Sequence, residues 1–160
     1  MESSSATLRI RGDTVKVRNN TIILILLISY LLLLSYWMLF GFGRATQMEY
    51  MYNLKPLFTI GQFLQIDHYS SKTWIINLLG NIGVFVPFGI LLPSLVRRRI
   101  FRTFFIFICG LFLLELIQLV TRRGSFDIDD FILNSVGFAL GYGLFKVFCL
   151  YVNSKRSGIT

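Results

Sequence analysis

Long apolar runs separated by short polar breaks set the pattern of this chain. Thr21 to Gly43 and Thr73 to Val96 each run the length of a bilayer crossing without a charged residue. Two further runs, about Arg102 to Thr121 and Phe131 to Phe145, have the same character with polar interruptions. A rise of about 1.5 Å per residue lets roughly 20 residues cross a hydrocarbon core of about 30 Å. The pattern therefore predicts an all-α integral membrane protein with four transmembrane helices, at about 21–43, 73–96, 102–121 and 127–147. These form one domain, 21–152. Residues 1–20 read as a disordered cytoplasmic tail and 153–160 as a second tail. The first run exceeds the roughly 7–15 residues of a secretory signal core, and "GFGRATQ" offers no small-x-small cleavage site, so it reads as a retained helix.

Composition strengthens that reading. The chain is 54% hydrophobic and only 15% charged, too greasy for a soluble domain of 160 residues. Lys and Arg are unevenly placed. Eleven fall in the first tail, in "RRRIFR" between the second and third helices, and after Phe145; five fall on the opposite side. Short basic loops resist translocation, so both termini are expected to be cytoplasmic. The net charge of +8 then reads as anchoring at an anionic inner leaflet, and no soluble basic patch points to nucleic acid. Cys109 and Cys149 fall at different depths, which argues against a disulfide and leaves them as packing residues.

The polar positions inside the runs carry the functional information. Asn77 and Asn81 share a face of the second helix, where Gly80 and Gly83 would admit a close neighbour and Pro87 would kink the axis. On the third helix Glu115 and Gln118 point the same way, with Arg122 one turn further. A charged side chain inside a span costs about 2.5–3.5 kcal/mol on insertion scales, so Glu115 needs a partner, a proton or a use. Asp127, Asp130 and Asn134 fall at i, i+3 and i+7, and Gly137 and Gly141 continue that stripe as a small-xxx-small packing face. Asp129 points elsewhere, as a first-turn charge or into water. A tight turn between helices three and four brings Glu115, Gln118, Arg122, Arg123, Asp127, Asp130 and Asn134 to one level, with Asn77 and Asn81 beside them. The expectation is a polar pocket in the outer half of the bilayer, its acids and bases neutralising one another. The segment 44–72, with "YNLKPLFTIGQFL", would lie on the outer leaflet or cover this pocket; its His68 reads as surface decoration.

Three stretches resemble the VanZ-like family of bacterial membrane proteins. They are "ELIQLVTRRGSFDIDDFILNSVGFALG" (115–141), "NLLGNIGVFVPFGILLP" (77–93) and the weaker "NLKPLFTI" (53–60). The resemblance places an Arg two residues ahead of the Phe-Asp pair, where this chain has Gly124, leaving that role to Arg122 or Arg123. It implies a multi-pass protein of the bacterial cell membrane, associated with lowered susceptibility to teicoplanin-type glycopeptide antibiotics. It supplies no catalytic mechanism.

Three readings follow. In the first, the pocket binds a lipid-linked cell-wall precursor or lipid head group, with Arg122 and Arg123 engaging phosphate and the glycopeptide affected only indirectly. In the second, the chain is an intramembrane hydrolase or transferase, with Glu115 as general acid or base and Asp127 and Asp130 as further catalytic candidates. In the third, the cluster merely locks helices three and four together. No cofactor or metal is expected, because the neighbouring Arg pair favours neutralisation over cation binding.

Overall fold

The structure, a computed structural model, describes residues 2–41, 44–64, 71–96 and 99–157; side chains are described for 20–41, 44–62, 79–96 and 99–155. In chain order the elements are α1 (Glu2–Phe40), β1 (Met51–Asn53), α2 (Phe58–Leu64), α3 (Ser71–Leu95), α4 (Ile100–Thr121), β2 (Ser125–Asp127) and α5 (Ile128–Ser157). Among the described residues three helical segments are long and apolar enough to cross a membrane: Asn20–Phe40, Ile100–Thr121 and Ile128–Lys155. The second predicted helix is present as α3, whose described apolar stretch, Leu79–Leu95, is shorter than a full crossing.

Several boundaries differ from the sequence reading. Helical backbone continues back to Glu2, where a disordered tail was expected. Once an apolar span has nucleated a helix, each added residue costs little, and residues 2–20 contain no Pro to stop it. At its other end α5 runs on to Ser157, ten residues past the expected 147 (157 − 147), again without a Pro. The segment expected as a plain loop holds β1 and α2. Strand β1 pairs in parallel with β2, Met51 opposite Ser125 and Asn53 opposite Asp127. Backbone pairing at this turn removes Asp127 from the helix face on which its i, i+3, i+7 spacing had placed it. Cys109 is exposed on its helix rather than packed, and both cysteines are free. His68 lies outside the described residues.

The centre is aromatic. Phe107 and Phe138 stack at 4.5 Å between centroids, and Phe85 and Phe88 close against Phe107. Leu34, Leu92 and Leu111 complete the buried cluster, and Tyr30 of α1 donates to the carbonyl of Val84 at 2.8 Å. Large apolar side chains such as Phe101, Phe105, Leu144 and Phe148 stay exposed around the outside, the inverse of a water-facing surface.

The tightest packing is between α3 and α5, which run parallel with their backbones in contact. A Cβ at Gly137 would strike the carbonyl oxygen of Ile82, one at Gly141 that of Val86, and one at Gly89 that of Phe138. Ile82, Val86 and Gly89 form a single face of α3 at i, i+4 and i+7. Gly80 and Gly83 lie off that face, and a methyl at either meets nothing within 4 Å. The close approach predicted for those two belongs to Gly89 instead. Pro87 and Pro93 sit inside α3 without ending it.

Gly141→Leu should therefore lower the amount of folded protein in membranes sharply, since overpacking costs about 1–3 kcal/mol or more when backbone is the obstacle. Gly83→Ala should leave it unchanged. Fluorescence-detected size exclusion in detergent checks both, and equal behaviour would contradict the crossing.

Candidate functional site

The loop end of the bundle is built on the three aspartates of "DIDD". Asp127 closes β2 and is 7% exposed. It accepts hydrogen bonds from the side-chain amide of Asn53 at 3.1 Å, the hydroxyl of Thr59 at 2.5 Å and the backbone N–H of Asp129 at 2.9 Å. The Asn53 amide also reaches the Thr59 oxygen at 3.0 Å, so strand β1, helix α2 and the start of α5 meet at one carboxylate. Asp129, expected to point away, is fully buried. Its two oxygens accept the backbone N–H groups of Leu57 at 2.6 Å and Ile60 at 3.0 Å, satisfying orphan donors at the start of α2. Leu57 takes a left-handed φ of 62° there, a conformation that the anchored turn must hold in place. Asp130 accepts from the Asn81 amide at 2.9 Å and so joins α5 to α3.

Behind these aspartates lies a cavity of about 290 Å³, lined by Asn81, Glu115, Gln118, Asp127, Asp130 and Asn134 together with Arg44, Thr59 and apolar groups of α1 and α3. Helix faces bring Asn81, Glu115, Gln118, Asp130 and Asn134 together, and Asp127 joins them from the end of β2. Gln118 donates to the carbonyl of Met38 at 3.2 Å, tying α4 to α1. Glu115 is 0% exposed and neither of its carboxylate oxygens has a hydrogen-bond partner. Asn134 is 2% exposed, and its Oδ1 is also unpartnered. Asn77 is in the backbone of α3, but its side chain lies outside the described residues.

The arginines are arranged differently from the expectation. Arg122 caps α4 in a left-handed conformation, φ 54°. Its guanidinium donates to the carbonyl of Met48 at 3.1 Å and stacks over Tyr50. Arg123 donates to the carbonyl of Leu39 at 3.5 Å and lies 4.6 Å over the ring of Phe40. Neither lines the cavity; Arg44 does. The carbonyls of Leu39 and Met48 and the aromatic faces compete well for guanidinium groups, and charge-pair reasoning overlooks both. Gly124 explains how Arg44 gets in: a Cβ there would lie 2.9 Å from the Gln118 amide nitrogen and 3.1 Å from Arg44 Nη1.

Sequence reasoning missed Asn53, Thr59, Asp129 and Arg44. The available signal was the Asn-Leu-x-Pro block itself, which starts with Asn53 and ends one residue after Thr59.

Apolar helices of crossing length around a buried, carboxylate-lined cavity define a small helical membrane protein. The chain belongs to the VanZ/LLP1 family, whose profile matches residues 21–149 and so takes in every residue of the cavity. It is similar to "Protein VanZ" of Enterococcus faecium, with 31% identity over 107 residues, 66% of this chain and 66% of that relative. The chain thus spans about two thirds of the length of the curated relative it matches. No solved structure matches it.

The bonds of Asp129 make a local prediction. Asp129→Asn keeps the shape but turns an amide toward one of the two N–H groups. Hydrogen exchange at Leu57 and Ile60 should accelerate about tenfold or more, the factor for roughly 1.4 kcal/mol, while exchange in α4 stays unchanged. Unaltered exchange at both amides would remove Asp129 as the anchor of α2.

Proposed function

We propose that this protein acts at the bacterial cell envelope, binding a lipid head group or lipid-linked cell-wall precursor in the cavity behind the aspartates and thereby lowering susceptibility to teicoplanin-type glycopeptides. The observation that carries the reading is Glu115, a fully buried carboxylate with no partner in a cavity large enough for a small head group. A side chain that serves only to lock helices finds a partner within the protein, as Asp127, Asp129 and Asp130 do. An unpartnered carboxylate in a membrane helix is expensive and fits a site awaiting a ligand.

The reading places four helices across the membrane with both termini inside. Helix direction supports it. The ends of α1 and α4 lie together, through Gln118 on Met38 and the N–H of Gln47 on the carbonyl of Arg122 at 2.8 Å. If both cross outward, the chain returns between them, and α3 is the element with the length to do so, 25 residues. Exposed Leu54, Leu57 and Phe58 then lie at the outer interface beside the cavity. In a chain freed of Cys109 and Cys149, a cysteine at Arg99 should be labelled only from the cytoplasmic side and one at Met48 only from outside. Labelling of both from one side would refute the crossing by α3.

The functional test is teicoplanin susceptibility of a sensitive Gram-positive host expressing this chain. Wild type should raise the inhibitory concentration several-fold, and Glu115→Gln should lose most of that protection at matched membrane abundance. Glu115 and Asp130 line one cavity, which keeps an intramembrane hydrolase or transferase as the second reading. Complete loss of function in Glu115→Gln with ligand binding retained would favour the enzyme. A fall in abundance alone would reduce the cluster to a helix lock, and full protection by the variant would remove Glu115 from the site.

A further inference from the structure

The hydrogen-bonding balance of the cavity indicates what kind of group it lacks. Three buried atoms without partners face it or line it: Glu115 Oε1, Glu115 Oε2 and Asn134 Oδ1. With Glu115 ionised, all three are acceptors. Three side-chain amides nearby are turned elsewhere, Gln118 to Met38, Asn81 to Asp130 and Asn53 to Asp127 and Thr59. A phosphate brings only further acceptors under ordinary conditions and leaves these atoms as they are. Among the described residues no three His, Cys, Asp or Glu side chains are grouped as metal ligands. What satisfies three acceptors, two of them a carboxylate's pair, is a compact donor of positive charge.

We propose, resting on the lipid-head-group reading above, that the deep end of the cavity takes a primary ammonium group, held by Glu115 and Asn134. An –NH3+ has three N–H donors and no acceptor, matching the three orphan atoms in number and sign. Arg44, exposed at the rim, is the cationic lining residue and faces the anionic end of a zwitterionic head group. Phosphate recognition thereby moves from Arg122 and Arg123 to Arg44. A quaternary ammonium fails on both counts, since it has no N–H and adds methyl groups around the charge. The shared chemistry, a primary amine near an anion, occurs in an aminoethyl phospholipid and in a lipid-linked precursor with a free amino group.

The test reconstitutes the full chain in nanodiscs of equimolar phosphatidylethanolamine, phosphatidylcholine and phosphatidylglycerol, and measures retained lipid by native mass spectrometry. Phosphatidylethanolamine should be enriched about fivefold or more over phosphatidylcholine, and Glu115→Gln should bring the ratio to that of bulk lipid. N-acetylated phosphatidylethanolamine with the wild-type protein needs no variant and should show no enrichment. If ethanolamine lipid is not enriched but a lipid-linked precursor binds in preference to its N-acetylated form, the amine site stands and the source is the precursor. Equal retention of ethanolamine and choline lipids with no precursor preference, or a preference for phosphatidylglycerol, overturns the proposal. Loss of teicoplanin protection in Glu115→Gln alongside that result would leave the envelope function standing and only the amine rejected.

Discussion

Three aspartates in four positions hold three separate pieces of this chain, and the geometry of the loop end depends on them. Asp127 gathers Asn53 and Thr59, Asp129 takes the amides at the start of α2, and Asp130 takes Asn81 of α3. Each joins segments that are 49 to 74 residues apart in sequence. These bonds are part-buried, where water competes less well for the donors, and leaving one unmade costs an unsatisfied polar group. The charge density that looks excessive for a boundary loop is a set of three anchors.

Those anchors give Glu115 its meaning. Where so many polar groups find partners across the chain, an unpartnered carboxylate is not explained by a shortage of donors nearby. Gln118, one turn from Glu115, donates to α1, and Asn81 donates to Asp130, although both line the same cavity. The depth of the cavity follows from the α3–α5 contact. Gly137 lies three residues beyond Asn134 and rests on the carbonyl of Ile82, next to Asn81. Backbone contact at that level fixes the height of α5 against α3, and with it the height of Asn134. Helices held apart by side chains there could slide by part of a turn; helices in carbonyl contact cannot.

Helical periodicity made most of the cavity legible in the sequence. Glu115, Gln118, Asp130 and Asn134 were expected at one level because a 3.6-residue repeat fixes which side chains share a face, and all four line the cavity. Irregular backbone has no such repeat. Asn53 and Thr59 belong to a strand of three residues and a helix of seven, neither long enough to register as a pattern. Asp129 was misplaced for a related reason: its direction was judged from its own helix, whereas its partners are backbone amides of another segment. The arginines failed on chemistry, since pairing acids with bases ignored the carbonyls and rings that hold Arg122 and Arg123. Small-residue spacing located a packing face on α5 but pointed to Gly80 and Gly83 on α3, where the contact falls on Gly89, because the face is chosen by the partner.

The separation of roles among the acids bears on how the chain could act. Asp127 has three donors on it, and two of them come from the segment that borders the cavity. Neutralising it would loosen β1 and α2 before it altered any chemistry, so a loss of function at Asp127 speaks to the shape of the rim. Glu115 is the reverse case. With neither oxygen in a well-formed hydrogen bond, Glu115→Gln keeps the shape of the side chain and mainly changes the charge and donor pattern offered to whatever enters. A difference between these two substitutions at equal abundance therefore separates a frame from a binding group, and it does so without knowing the ligand.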